Sequence, residues 1–123
     1  METFETSVET EPSALATVRT DLDAWLQLRG LAEPRRGYVI LATHEALANA
    51  IQHARSPGPI VLRAEARNGE FVIEVTDNGS WKLASTDRQD GRGLGLEIMR
   101  QLVSSATVTS GAAGTTVRLH QHC

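Results

Sequence analysis

The dipeptide Asn68-Gly69 stands between two stretches, "IVLRAEAR" and "EFVIEVTD", in which apolar and polar residues largely alternate. A period of two is typical of strands with one buried face. Asn-Gly is the dipeptide that best fits a two-residue hairpin turn, because both central positions of a type I′ turn need positive φ. We therefore predict two antiparallel strands that share one core-facing side, and this hairpin is the framework for the rest of the fold.

Apolar residues recur at three- and four-residue spacing in other stretches, which predicts helices. The second of these helices has Pro34 in its first turn, where a missing N–H does no harm. The first ten residues carry an edge-strand pattern that ends at Pro12, and residues 78–92 are polar and Gly-containing, which predicts a loop. The other predicted elements are helices from Ser13 to about Gly30, from Glu33 through Ala54 and from about Leu94 to Val103, and a closing hairpin of residues 106–110 and 115–120.

The predicted order is strand, helix, helix, strand, strand, helix, strand, strand. Such an order implies a two-layer α/β (α+β) sandwich, in which a mixed, mostly antiparallel sheet is covered on one face by helices. A chain of 123 residues is of a size for one domain, so we expect residues 1–123 to form a single unit.

Composition excludes several classes of function. The net charge is -3 and Lys and Arg are scattered singly, which argues against direct binding of nucleic acid. Cys123 is the only cysteine, so no internal disulfide is expected. No apolar run approaches the length of a membrane span and the N-terminus does not resemble a signal peptide, so we expect a cytoplasmic protein that does not associate with membranes.

The stretch "HEALANAIQHA" places Glu45, Asn49 and His53 at every fourth position, on one face of the second helix. A solvated helix face would also be polar at this spacing. A zinc-protease motif is excluded, because Ala48 stands where its second histidine belongs.

Two Gly-containing stretches follow. "VTDNG" ends a predicted strand with Asp77 and Gly79, which suits either an ordinary turn or a carboxylate that accepts a hydrogen bond from a flat ligand such as adenine. "DGRGLGLEIMR" places Gly91, Gly93 and Gly95 at the start of a helix. It matches neither a dinucleotide fingerprint nor a Walker A loop, but glycine-rich amides at a helix N-terminus attract phosphate, and a flexible loop is the alternative.

Taken in order, the acid and amide on one helix, the Asp-x-Gly after a hairpin, the glycine-rich helix start and the "GTT" of the last strand resemble the motifs of the GHKL (Bergerat-fold) ATPase superfamily. The resemblance covers residues 45–119. It implies that the chain binds ATP and Mg²⁺, with Asn49 as the magnesium ligand and Glu45 as the general base. His53 has no assigned role, and Trp81 stands where the family often has a second glycine.

The remaining site residues follow from the same resemblance. Asp77 would bind the adenine amino group and Gly79 would lie against the ring. Either Thr115 or Thr116 would support the adenine side, and the sequence does not choose between them. A lid over the phosphates would comprise Gly91, Arg92, Gly93, Leu94 and Gly95.

Within the superfamily, the chain is similar to the anti-sigma-factor serine/threonine kinases. That similarity implies two partners, a sigma factor that is sequestered and a small antagonist protein that is phosphorylated. A nucleotide-gated binding module that transfers phosphate slowly or not at all is the alternative, and the presence of Glu45 favours the kinase. Whether the chain forms a homodimer is open. The first helix offers Arg19, Asp21, Asp23 and Arg29, a region that relatives use for dimer or sigma contacts, although a solvated face explains the charges equally well.

Overall fold

The computed structural model describes residues 2–9, 11, 13–53, 59–77, 92–111 and 114–122, with the backbone alone at 53 and 92–94. The order of elements follows the sequence prediction throughout. The elements are β1 (Glu2–Val8), α1 (Ala14–Leu28), α2 (Arg35–His53), β2 (Ile60–Arg67), β3 (Glu70–Asp77), α3 (Arg92–Leu102), β4 (Ser105–Gly111) and β5 (Gly114–His122).

The strands form one five-stranded sheet in the order β1-β2-β3-β5-β4. Each pairing between the described strands is antiparallel, so the parallel component of the predicted mixed sheet is not found there. All three helices pack on the same, apolar face of the sheet. The two-layer α+β sandwich predicted from the sequence is therefore confirmed.

The β2–β3 hairpin has the predicted turn. Asn68 has φ of 52° and Gly69 has φ of 79°, so both central residues lie in the left-handed region that a type I′ turn requires. The turn fixes the register, in which Arg67 faces Glu70 and Ala64 faces Ile73. A shift of one residue in this register would turn the apolar residues of the shifted strand to the wrong face of the sheet.

The alternation of side chains gives the sheet an inner face toward the helices and an outer face toward solvent. On β3 the inner side continues past the apolar residues to Asp77, and on β5 it includes Thr115. The inner faces and the helices together form one core. Its largest fully buried side chains are Phe71, Leu22, Leu26, Leu31, Leu47, Ile60, Leu62, Ile73, Met99, Leu119, Val8 and Val39.

Helix boundaries differ from the prediction by one or two residues; α1, for example, runs from Ala14 to Leu28 and not from Ser13 to about Gly30. Helix α2 begins at Arg35 and not at Glu33. Glu33 lies before the helix, and its carboxylate accepts a hydrogen bond from the Gly37 N–H at 2.8 Å. Helix α3 begins at Arg92, which the sequence placed in a loop; the glycines that weaken its helical propensity are offset by packing of the helix against α2. The rest of the predicted loop, residues 78–91, lies outside the described residues.

Candidate functional site

Helix α2 carries the polar stripe predicted from the sequence, and at Glu45 and Asn49 this stripe is not a solvated face. Asn49 is only 7% exposed and Glu45 is half-buried. A polar group in such a position needs a partner, because burial removes the water that would otherwise satisfy it. His53 is the last residue of α2, and its side chain lies outside the described part of the structure.

Helix α3 approaches this stripe through Gly95. A β-carbon on Gly95 would lie 2.5 Å from Asn49 Nδ2 and 3.2 Å from Glu45 Oε1. Only glycine permits this approach without displacement of a neighbour. Gly95 is the fourth residue of α3, so the N-terminal end of α3, with its partial positive charge, lies beside the Glu45 carboxylate and the Asn49 amide.

The Asn49 amide has an unusual hydrogen-bonding state. Among the described residues, its buried Nδ2 has no hydrogen-bond partner. A buried donor without a partner costs about 1–3 kcal/mol, and a bound ligand is one common reason for a protein to retain it. Rotation of the amide by half a turn brings Oδ1 to the same position, so the group can offer either a donor or an acceptor.

A second polar pair lies between the sheet and the helices. Asp77 at the end of β3 and Thr115 near the start of β5 are direct cross-strand partners on the inner face, and they are 4% and 0% exposed. The Thr115 hydroxyl also lies 3.1 Å from the Ser110 hydroxyl on β4. Ser110 was not predicted from the sequence, since its place beside Thr115 depends on the pairing of β4 with β5.

Thr116 lies on the other face of the sheet. Its hydroxyl is 3.1 Å from the Thr76 hydroxyl, on the outer side of the β3–β5 pair. Thr115 therefore faces the same layer as Asp77, and Thr116 does not; which of the two supports the adenine side stays a prediction.

Several predicted site residues lie wholly or partly outside the described residues. Gly79, Trp81 and Gly91 are outside them. Arg92, Gly93 and Leu94 form the first turn of α3 in backbone only. The structure therefore brings Glu45, Asn49 and Gly95 together, and separately joins Asp77 with Thr115.

Most charged residues of α1, and Arg29 directly after its last residue, contact neighbouring elements, contrary to a fully solvated face. Arg29 Nη2 lies 3.1 Å from Glu2 Oε1 of β1, and its guanidinium lies 5.5 Å from the centre of the Trp25 ring. Toward α2, Asp23 pairs with Arg36 at 2.9 Å and Arg19 contacts His44 at 2.9 Å. These contacts hold α1 to the sheet and to α2, whereas Asp21 is exposed. Among the described residues, no helix is both long and apolar enough to cross a membrane.

Comparison with known proteins gives one family and several similar structures. Residues 8–120 match the family described as histidine kinase-like ATPase domain. A crystal structure of the RsbU and RsbW domains of a Mycobacterium tuberculosis protein matches 99% of this chain with a TM-score of 0.82 and 26% identity. The histidine kinase domain of a blue-light-activated kinase from Erythrobacter litoralis matches 89% of this chain with a TM-score of 0.63 and 25% identity.

The histidine kinase AdeS of Acinetobacter baumannii matches 99% of this chain with a TM-score of 0.60; at 12% identity, this likeness concerns the fold alone. This chain covers 32% of the Mycobacterium structure, 59% of the Erythrobacter structure and 68% of AdeS. The matched region is thus a part of each larger protein.

Proposed function

Because the chain belongs to the histidine kinase-like ATPase domain family, we propose that it binds ATP with Mg²⁺ and transfers the γ-phosphoryl group to a serine or threonine of a small protein. The acceptor we propose is an antagonist of an anti-sigma factor, and the second partner is a sigma factor that the chain sequesters in the cytoplasm. The motif resemblance to anti-sigma-factor kinases supports this proposal. Similarity to a structure that contains an RsbW domain also supports it.

The observation that carries the proposal is the buried Asn49 amide, whose Nδ2 has no hydrogen-bond partner among the described residues and lies against Gly95. Magnesium prefers oxygen ligands, and an amide carbonyl supplies one without adding charge. The buried amide fits such a ligand, and Gly95 beside it has no side chain that would block one. Asn49 is therefore the residue that would hold Mg²⁺ through Oδ1. Mg²⁺ held there would supply positive charge that offsets the charge of the phosphate oxygens during phosphoryl transfer.

At the other end of the nucleotide, Asp77 would recognise the adenine base. A buried carboxylate accepts hydrogen bonds only, which matches the exocyclic amino group of adenine and not the carbonyl of guanine. Thr115 is its cross-strand neighbour and would support that contact with a hydroxyl. Gly79 would lie against the ring, as the family resemblance implies.

Glu45 would act on the protein acceptor. As the acceptor hydroxyl oxygen bonds to the γ-phosphorus and ADP leaves, a carboxylate oxygen of Glu45 takes the hydroxyl proton. The backbone amides at the start of α3, from Arg92 through Gly95, and that of Gly91, which lies outside the described residues, would offset the negative charge on the phosphates. Arg92 would add a positive charge at the same place.

Incubation with ATP, Mg²⁺ and small proteins encoded near the gene for this chain tests the activity. Mass spectrometry should find one phosphorylated serine or threonine in one of those proteins, and omission of Mg²⁺ should abolish it. ATP binding without phosphorylation of any candidate, together with nucleotide-dependent capture of a sigma factor, would support a nucleotide-gated binding module and contradict the kinase. Absence of ATP binding would contradict both functions.

A further inference from the structure

Three metal-ligating side chains meet on the outer face of the sheet, away from the helices. They are Glu70 at the start of β3 and His120 and His122 near the end of β5, and their ligand atoms all lie within 4.8 Å of one another. We propose that this outer-face cluster of Glu70, His120 and His122 binds a divalent transition-metal cation of the zinc type.

The strand geometry directs the three side chains to one point. His120 and His122 are two residues apart on β5, so both project from the same face, and Glu70 is the direct cross-strand partner of His122. His120 Nε2 lies 2.6 Å from Glu70 Oε1, and His122 Nδ1 lies 4.0 Å from Glu70 Oε2. Zinc bonds of about 2.0–2.1 Å in tetrahedral geometry separate ligand atoms by about 3.3 Å. The two observed separations involve different oxygens of Glu70 and lie on either side of that value, and the three ligand atoms lie within 4.8 Å of one another, so rotations of the side chains would bring them to a common ion.

The ligand types select the class of metal. Two imidazoles and one carboxylate suit Zn²⁺, Ni²⁺ and Cu²⁺, whereas Mg²⁺ and Ca²⁺ prefer all-oxygen sites. The magnesium that accompanies ATP would therefore not compete. Three protein ligands leave a fourth position for water, the arrangement of an open zinc site.

The backbone beneath the cluster is fixed before any metal binds. Strand β5 lies between β3 and β4, and the His122 N–H donates a hydrogen bond to Ser104 Oγ at 3.1 Å. Glu70 directly follows the Asn68-Gly69 turn. A ligand set on rigid strands loses little conformational entropy on metal binding, so the ion would join β3 to β5.

The outer-face cluster is separate from the proposed nucleotide site. Glu70 and Asp77 are seven residues apart on β3, which is about 23 Å along a strand. They also face opposite sides of the sheet, since Asp77 is on the buried side and Glu70 is exposed. Failure of ATP binding and failure of metal binding are therefore distinguishable.

Titration calorimetry with ZnCl₂ alone, without nucleotide, tests the proposal. The protein used is the full chain with Cys123→Ser, because a thiol can bind zinc without the cluster. We expect one ion per chain. At a hundredfold excess of free Zn²⁺ over Kd, Tm should rise by about 10 °C.

Three variants and a matched control locate the ion. His120→Gln, His122→Gln and Glu70→Gln should each weaken Zn²⁺ binding by at least about tenfold. Mutation of a residue that only orients a metal ligand already lowers metal affinity by about tenfold or more, and loss of the ligand itself should cost at least as much. Glu74→Gln is the control, because Glu74 is a carboxylate on the same face and strand that pairs with Arg118 at 2.9 Å. It should bind Zn²⁺ like the parent chain.

Two results would overturn the proposal: no Zn²⁺ binding by the Cys123→Ser chain, or equal affinity after His120 and His122 are both replaced. The second result would assign the ion to other residues. The circular dichroism spectrum and the Tm without Zn²⁺, measured on each variant, should equal those of the parent and verify that the chain is folded.

Discussion

Gly95 of α3 lies so close to Asn49 of α2 that a β-carbon on the glycine would be 2.5 Å from the amide nitrogen of the asparagine. Separations under 3.0 Å from a β-carbon are essentially never found in proteins. The contact between the two helices at this point leaves no room for a side chain on Gly95 unless the end of the Asn49 side chain moves. It also joins the glycine-rich helix start to the residue proposed to hold magnesium, so a change in one alters the position of the other.

Gly95→Ala is expected to weaken binding of Mg²⁺ and ATP by about tenfold or more, because the new methyl group must displace the Asn49 amide or the start of α3. Alanine improves helical propensity by up to about 1 kcal/mol, whereas overpacking costs about 1–3 kcal/mol. We therefore expect a lower or unchanged free energy of unfolding. Titration calorimetry and urea denaturation measure the two effects.

Gly111→Ala is the matched control for this variant. A β-carbon on Gly111 would meet no atom within 4 Å, so the substitution should leave nucleotide binding unchanged. Wild-type affinity in Gly95→Ala would mean that Asn49 can move away at no cost. The contact between Gly95 and Asn49 would then not control binding of Mg²⁺ and ATP.

Asn49→Leu separates function from stability. It replaces a buried amide that has no Nδ2 partner among the described residues with an apolar side chain of similar shape. The free energy of unfolding should stay the same or rise by up to about 2 kcal/mol, since an unsatisfied donor costs about 1–3 kcal/mol. Mg²⁺-dependent ATP binding should be lost.

The control for Asn49→Leu is Thr43→Val, also on α2. The Thr43 hydroxyl is buried and has no hydrogen-bond partner among the described residues. Its replacement should be neutral or stabilising and should leave ATP binding intact. A large loss of stability in Asn49→Leu would show that the amide serves the fold, and the magnesium assignment would then lack its main support.

The elements were predictable because their signals are local. The Asn68-Gly69 turn and the alternation beside it specify a hairpin from fewer than twenty residues, and both turn residues have the positive φ that was expected. The start of α3 was predicted two residues late, because Arg92 and Gly93 follow a polar, glycine-containing stretch. Gly95 packs against Asn49 of α2, and a local pattern does not contain that contact.

The pairing of strands that are far apart in the sequence could not be predicted from local patterns. Whether Thr115 or Thr116 faces Asp77 depends on the register of β3 with β5, which joins residues about forty positions apart. The same register brings Glu70 beside His122. The spacing of His120 and His122 on a strand was a visible signal for a metal site, but the third ligand appears only once the strands are paired.

Thr115→Val and Thr116→Val test that register in function. Thr115 is fully buried beside Asp77, and loss of its hydroxyl should weaken ATP binding by about fivefold to tenfold, equivalent to a hydrogen bond of about 1 kcal/mol. Thr116 contacts Thr76 on the outer face, so its replacement should leave ATP affinity unchanged. Equal losses in the two variants, measured by calorimetry, would contradict the assignment of the adenine side to the inner face.

Asp77→Asn should weaken ATP binding by about tenfold to a hundredfold. A hydrogen bond to an ionised acceptor contributes about 1.5–3 kcal/mol, and the amide that replaces it offers the adenine amino group only an uncharged oxygen. The preference for ATP over GTP should fall at the same time, because the carboxylate is the group proposed to distinguish the bases. Competition binding with both nucleotides measures this, and an unchanged preference would place base recognition elsewhere.

Glu45→Ala should retain ATP binding and abolish phosphoryl transfer. The side chain is half-buried next to Asn49 and Gly95, where it can take a proton from an acceptor hydroxyl but is not assigned to the nucleotide itself. Loss of a general base typically lowers the rate by about 10²–10⁴. Glu45→Gln is the companion variant, since it keeps the shape and removes the charge, and it should be as inactive as alanine. Normal phosphorylation of the antagonist by either variant would exclude Glu45 as the base, and weaker ATP binding in both would assign the carboxylate to the nucleotide site instead of to the transfer step.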